Sequence, residues 1–552
     1  MTRFRTFVCN AAFMTASALA MRGVGVLFNL YLTAKLGAAG LGLYSLVSSV
    51  YGFAVTVAVS GVHLAVTRVT AERTEKALAD GAPADGTGAS ASGEVLRAGI
   101  RYALVCGGSA CVLLLLFSAP IGMYWLHDAR TVPSLRILAL SLPFLSLSTV
   151  LGGYFMGTRR GALGSAVGIC GQLAKIGTSV FLLRMLHAKG LTYACAALAF
   201  GGVLSEVLTF FLSSAFALPA LRKTSMTQKS FVQKSSSVPV GGALLRIAVP
   251  IALTTYVRSG LLTVEHLLIP IGLQKYGSAA EDALASYGTL HGMAMPILLF
   301  PMAFLASVSG LLVPELAAFR SAGDDRAVSR TARRVFRMTA VFAVFCAGVM
   351  RCFSGELGTV LYKSAEAGRF LRLLSPLVVV MYLDTMTDAL LKGLDKQVAS
   401  MWINILDAGF SALLVWLLLP RYGIMGYVFI LYASELLNFG QSAACLLSVP
   451  GLFQKGALRA SLIRELLLPL LSVIGGTGCA GLFFSVTGIR FRFGAVNLTV
   501  HILVSLIFYG TFLLLTGSIR REEVTAFFLR LRPEKRTNPK TILQSSPECD
   551  IL

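Results

Sequence analysis

Runs of about 20 or more predominantly apolar residues, long enough to cross roughly 30 Å of hydrocarbon, recur along the whole chain and constrain it more than any other feature. Fourteen are legible, with approximate cores at 7–33, 41–66, 99–121, 134–156, 162–186, 191–217, 246–272, 284–313, 335–354, 371–391, 398–419, 424–448, 462–487 and 496–517. A string of soluble domains would need charged surfaces, yet only 13% of the 552 residues are charged, about half the usual share. The fold class that follows is an all-α polytopic membrane protein with 14 transmembrane helices. A lipid-facing barrel would show short alternating segments, and these runs are too long and too uniformly apolar for that. Pro143, Pro250, Pro296, Pro301 and Pro376 lie inside spans, where neighbouring helices can re-satisfy the backbone groups they free. Ser17-Ala18-Leu19-Ala20 resembles a leader cleavage site, but the apolar run continues past it and contains Arg22, so the first span reads as retained.

The 48 Lys and Arg exceed the 26 Asp and Glu by 22, and their distribution explains the surplus. On the side that holds both termini 32 of them fall in loops and tails, 13 fall on the other, and Arg22, Lys175 and Arg258 lie within spans. By the positive-inside rule both termini are expected in the cytoplasm. The charge is therefore a topology signal, and no nucleic-acid partner is expected. Residues 72–95, with the run ADGAPADGTGASASG, read as a flexible loop. The tail from 518 to 552, rich in arginine, reads as disordered chain near anionic headgroups. Ten cysteines form no metal-ligand spacing and read as small apolar residues.

An internal repeat underlies the spans. Leu135-Arg136-Ile137-Leu138 in span four is matched 236 positions later by Leu371-Arg372-Leu373-Leu374 in span ten, and the same offset carries Gly157 onto Gly393 and Arg22 onto Arg258. Ser205-Glu206 and Ser434-Glu435 answer each other in spans six and twelve. The chain thus reads as two pseudo-symmetric six-helix lobes plus two C-terminal helices, with a substrate site near mid-membrane between the lobes. The expected boundaries are 1–218 for the first lobe, 219–243 for a basic cytoplasmic linker, 244–450 for the second lobe, 451–517 for spans thirteen and fourteen, and 518–552 for the tail.

An ionisable group at mid-bilayer costs about 2.5–3.5 kcal/mol and needs a partner or a wet cavity. Thr254, Arg258, Leu261 and Glu265 share one face of span seven, and the repeat sets Ala18, Arg22, Gly25 and Asn29 on the matching face of span one. Two readings stand. Arg22, Asn29, Arg258 and Glu265 line a central cavity in which the two arginines hold an anionic headgroup through planar, permanently charged forks, or each arginine is neutralised within its own lobe, Arg258 by Glu265. Asp384 and Asp388, absent from the aligned positions of span four, are candidates for Na⁺ or H⁺ coupling or for pairing with Lys392. Glu206 and Glu435 suggest hydrogen bonding between helices, Lys175 and Asp407 are mid-span charges open to a cavity role, and His266 reads as a packing residue rather than a metal ligand.

There is no GxxxxGK[ST] loop, HExxH or GxSxG, so no catalytic residue, metal or cofactor is expected. Four stretches carry a resemblance: Arg22-Gly-Val-Gly-Val-Leu-Phe-Asn-Leu-Tyr, Leu36-Gly-Ala-Ala-Gly-Leu-Gly-Leu-Tyr, Ser307-Val-Ser-Gly-Leu-Leu-Val-Pro-Glu-Leu-Ala and Leu391-Lys-Gly-Leu-Asp-Lys-Gln. From about residue 3 to 517 the chain resembles the stage V sporulation protein B branch of the polysaccharide transporters, in the superfamily that also holds the MATE drug exporters and the lipid II flippase. The resemblance implies a bacterial plasma-membrane flippase for an undecaprenyl-pyrophosphate-linked saccharide, with cell-wall synthesis enzymes as partners and Arg22 and Arg258 matching basic cavity residues by placement. A cation-coupled multidrug exporter and a non-transporting scaffold for cell-wall synthesis are the alternatives. Spans thirteen and fourteen, outside the repeat, are expected to form a groove for the polyprenyl tail.

Overall fold

The computed structural model describes residues 2–59, 61–79, 88–158, 160–186, 190–227, 240–449 and 494–515, with isolated turns between 469 and 483. All regular structure among the described residues is helical. The first half comprises α1 (Thr2–Val59), α2 (Val62–Ala79), α3 (Gly88–Pro120), α4 (Thr131–Ala139), α5 (Leu142–Gly157), α6 (Gly161–Leu186) and α7 (Leu191–Thr227). The second comprises α8 (Val240–Tyr276), α9 (Ala280–Tyr287), α10 (Met295–Leu299), α11 (Met302–Ser321), α12 (Asp325–Cys352), α13 (Ser354–Glu356), α14 (Ala365–Leu374), α15 (Leu377–Gly393) and α16 (Gln397–Leu447). Residues from Gln454 onward form a separate unit, in which α17 (Gly494–Leu515) is an apolar helix.

Nine of the described helices are long and apolar enough to cross a bilayer, eleven if α4 with α5 and α14 with α15 are each taken as one bent span. Two of the nine are hairpins. In α1, Gly37 takes φ 70°, a left-handed conformation open to a residue without Cβ. Beyond it the chain doubles back, since Asn29 on one limb donates to the Gly292 carbonyl and Leu41 on the other packs on Gly292. Gly423 (φ 58°) divides α16 in the same way, and Ser434 donates to the Asp407 carboxylate across its limbs. Span thirteen, 462–487, and the tail 518–552 lie for the most part outside the described residues. Large apolar side chains such as Leu116, Phe117, Phe181, Trp402, Trp416 and Phe429 point outward, as a surface solvated by lipid requires.

The repeat is visible in geometry as well as in sequence. Positions 236 residues apart make the same contacts: Arg136 Nε donates to Ser118 Oγ at 3.2 Å, and Arg372 Nε donates to Ser354 Oγ at 3.2 Å. A π-helical turn spans Ile121–Trp125 in the first half and Leu357–Leu361 in the second. His127 (φ 51°) and Lys363 (φ 54°), at equivalent positions, both adopt a conformation uncommon for residues with a Cβ. Each then leads into a bent span, by 43° between α4 and α5 and by 57° between α14 and α15. Pro250 lies inside α8, whereas the other four of the five prolines expected inside spans fall at breaks: Pro143 opens α5, Pro296 opens α10, Pro301 precedes α11 and Pro376 precedes α15. A missing N–H costs nothing there because first-turn donors have no helical partner.

Two loops are more ordered than expected. The 72–95 segment is helical up to Ala79 and again from Gly88, leaving residues 80–87 outside the described set. Good helix formers in AERTEKALA propagate α2, and the Arg68–Glu72 pair (2.9 Å) and the Arg73–Glu94 bridge (3.1 Å) fasten it. Likewise α7 runs on to Thr227, so the linker expected from 219 begins as helix, and 228–239 lie outside the described residues.

The halves meet along the second limb of α1. Tyr256 donates to the Val57 carbonyl at 3.1 Å, and the Thr56 and Ser259 hydroxyls bond at 3.1 Å. Near the Val62 end, Val62, Val66 and Leu96 bury Leu244 and Ala248 in one core. Toward Gly37, α1 and α9 pack backbone on backbone. A Cβ on Gly42 would overlap the Leu284 carbonyl, and one on Gly288 would overlap the Ala38 carbonyl.

Candidate functional site

A cavity of about 900 Å³ lies between the first limb of α1, α6, α8 and the segment from His291 to Leu299. That volume is within the range that holds drug-sized ligands. Arg22 and Asn29 enter it from α1, Ser165 and Gln172 from α6, His266 from α8 and His291 from the π-helical turn that follows α9. Met21, Val26, Ile169, Met295 and Leu299 form its apolar walls. Arg22 is the one charged side chain among the described residues on that wall, and it makes no described hydrogen bond or ion pair. Asn29 spends its amide on the Gly292 carbonyl at 2.6 Å, so it also fastens α1 to the second half.

Span seven is turned differently from the sequence expectation. Its Tyr256, Ser259 and Thr263 side packs on α1, which rotates the Arg258–Leu261–Glu265 side into the second half. Glu265 is buried at 6% exposure, accepting from Tyr427 at 3.4 Å and from Ser411. Arg258 is not among the cavity-lining side chains; it is exposed and within electrostatic reach of Asp384 and Asp407. Neither arm of the expected Arg258–Glu265 neutralisation is realised as an ion pair among the described residues. His266, read as a packing residue, is instead on the cavity wall.

All the acids expected inside spans except Glu206 are held inside the second half. Asp388 bonds Lys392 at 2.5 Å and accepts from the Ser400 hydroxyl. Asp384 accepts from Asn438 at 3.1 Å, and Asp407 accepts from Ser434. Glu435 faces Asp384 and Asp407, whereas Glu206 in the first half has Lys175 as its charged neighbour. None of these acids lines the cavity.

Sequence reasoning took His266 only as a packing residue and missed His291 and Gln172 altogether. Position 30 in the first half, the equivalent of His266, is Leu30, and that of His291 is Val55. The only available signal was a pair of histidines in a chain with six, both in one half and both within spans. Among the described residues no group of three or more potential metal ligands occurs, and all eight described cysteines are free.

Residues 7–319 match the family model described as polysaccharide biosynthesis protein. The chain belongs to that family. It is 23% identical over 431 residues to stage V sporulation protein B of Bacillus subtilis (strain 168), covering 76% of this chain and 80% of that protein. It is 24% identical over 237 residues to sporulation protein YkvU of the same organism, covering 43% and 52%. Among solved structures, the lipid II flippase MurJ in an inward closed conformation matches with a TM-score of 0.61 at 13% identity, covering 91% of this chain and 98% of that one. An inward-facing multidrug resistance MATE family transporter matches at 0.57 and 13%, covering 82% and 99%. This family member therefore has the MATE and MurJ fold of a multi-pass membrane protein, and the two solved structures named are a flippase and a transporter rather than enzymes.

Proposed function

We propose that the protein moves an undecaprenyl-pyrophosphate-linked saccharide, a peptidoglycan precursor or polysaccharide repeat unit, from the inner to the outer leaflet by alternating access. The observation that carries this reading is the single unpaired cation, Arg22, on the wall of an otherwise neutral cavity of headgroup size. A diphosphate offers the planar oxygen pairs that a guanidinium fork binds bidentately. Amide and hydroxyl groups from Gln172 and Ser165 suit a sugar, and a long isoprenoid tail, too large for 900 Å³, stays in the bilayer. With both termini cytoplasmic, the backbone seal near Gly42 and Gly288 closes the outer end, and the cavity loads from inside. The two halves, 1–218 and 244–450, are the lobes that rock.

A cation exporter would be expected to present acids to its lumen, whereas Asp384, Asp388, Asp407 and Glu435 are engaged within the second half. In our reading those acids, with Arg258 among them, serve coupling to Na⁺ or H⁺ rather than cargo. The test is a proteoliposome assay that follows protection of a fluorescent lipid-linked saccharide from an external quencher, run beside efflux of a cationic dye. Flipping without dye efflux is the expected result. Dye efflux without flipping replaces this reading with the exporter, and neither activity leaves the scaffold.

A further inference from the structure

Two imidazoles stand on the cavity wall beside Arg22, and each is held from behind by a buried phenol. His266 Nδ1 meets the Tyr287 hydroxyl at 2.9 Å, and His291 Nε2 meets the Tyr427 hydroxyl at 3.1 Å. The other ring nitrogens, His266 Nε2 and His291 Nδ1, make no hydrogen bond among the described residues. The rings contact edge to face with centroids 4.7 Å apart. This arrangement has no counterpart in the first half, where the equivalent positions are Leu30 and Val55.

We propose that the cavity binds a diphosphate dianion on Arg22, His266 and His291 together, and that binding draws one proton from solvent onto His291. This rests on the lipid-linked diphosphate reading above and assigns it a second set of ligands.

The hydrogen-bond directions select His291. Tyr427 donates its O–H to the Glu265 carboxylate, which leaves the phenol oxygen free to accept an N–H from His291 Nε2. An imidazolium donates from both nitrogens, so the chain runs from Glu265 through Tyr427 and His291 to a donor at Nδ1, available to an anion. Tyr287 makes no described hydrogen bond except the one to His266. It therefore donates to His266 Nδ1, and neutral His266 keeps its proton on Nε2. At 4.7 Å two imidazolium charges oppose each other, so the pair takes one proton and not two.

The surroundings favour this charge only when an anion is present. In the empty cavity burial away from water opposes this charge first, and the like charge of Arg22 on the same wall acts in the same direction, while Glu265 from α8 accepts the Tyr427 O–H on the far side, with Asp407 of α16 as its charged neighbour. Tyr287 from α9 and Tyr427 from α16 are neutral donors, and α6 contributes only uncharged Ser165 and Gln172 to this cavity. The α14 helix also packs on the turn that carries His291, and its Glu366, Arg369 and Arg372 are exposed. A bound dianion cancels the Arg22 repulsion and adds its own attraction. Proton and anion therefore promote each other's binding, as linkage requires.

The test uses purified full-length protein in detergent and P1,P2-dimethyl diphosphate, a water-soluble diester that stays dianionic near neutral pH, so that any proton change belongs to the protein. Calorimetric titration in two buffers of different ionisation enthalpy counts protons. The expected result is uptake of about one proton per bound anion, with affinity weakening by up to about tenfold per pH unit between roughly pH 6 and pH 8. His291→Gln is expected to bind without uptake, and Tyr427→Phe to retain binding with the transition moved to lower pH. Binding that is flat with pH and takes up no proton overturns the inference while leaving the Arg22 headgroup site standing. Absence of binding at every pH overturns both. The wild-type measurement alone decides, so misfolding of a variant does not rescue the proposal.

Discussion

Arg22→Gln keeps a polar side chain of similar reach and removes the only fixed charge among the described residues on the cavity wall. A charge-assisted hydrogen bond contributes about 1.5–3 kcal/mol, so flipping in proteoliposomes is expected to fall at least tenfold. Thermal unfolding should be unchanged, because Arg22 makes no described bond within the protein; a matching loss of stability would show that the residue staples helices instead. At the end of the molecule near Asp128, Arg130 behaves oppositely. Its guanidinium bonds both Asp128 oxygens, the closest at 2.6 Å, and this hydrogen bonding raises its pKa above the ordinary arginine value. A raised cation contributes stability that is present below its unfolded pKa and lost only above its folded one. Arg130→Ala is thus expected to cost no more than about 1 kcal/mol for this partly exposed pair, by the same amount at pH 6 as at pH 9, as differential unfolding would report. What the sequence made legible at this scale was the depth of each charge and not its azimuth. Arg22 and Asn29 reached the cavity, but Arg258 and Glu265 did not, because α8 is oriented by the fit of Tyr256, Ser259 and Thr263 onto α1 and not by its charges. Glu265 and His266 are neighbours in sequence, yet 100° apart around a helix, and the packing gave the cavity to the histidine.

The bent spans and the glycine contact act as elements. Pro143 and Pro376 were visible as interruptions, and the matched Leu-Arg-Ile-Leu and Leu-Arg-Leu-Leu stretches were visible as a repeat. That both mark the same corner, with an arginine reaching back to a buried serine, needed coordinates, since Ser118 and Ser354 carry no signal in an apolar run. The hairpins at Gly37 and Gly423 were expected only as loops between spans. The contact between Gly42 and the 284–288 backbone admits no side chain. Gly42→Val is therefore expected to hold the halves apart at that end. Pulsed electron-electron resonance between spin labels at positions 39 and 278 should shift to longer distances, and flipping should fall tenfold or more. An unchanged distance distribution would mean that the overlap is relieved locally and that this contact is no gate.

For the whole molecule, the apolar runs gave the class and the repeat gave the two-lobed fold, both from side-chain identity alone and without knowledge of any contact. The number of spans was less secure, because hairpins joined through a single glycine and spans broken at proline blur where one crossing ends. Orientation is the whole-molecule property most open to measurement. In a variant lacking native cysteines, Gly168→Cys on the cavity wall is expected to react with a membrane-impermeant thiol reagent applied from the face that carries the termini. Labelling from the opposite face instead would reverse either the orientation or the conformation. The seal that this experiment relies on joins main chain to main chain at Gly42 and Gly288. Parting it frees no rotamers, so little side-chain entropy is recovered on opening. In the proposed alternating-access cycle the balance between closed and open states is then expected to follow the surface newly wetted and the lateral pressure of the surrounding lipid, so that turnover measured in bilayers of different composition would report membrane mechanics.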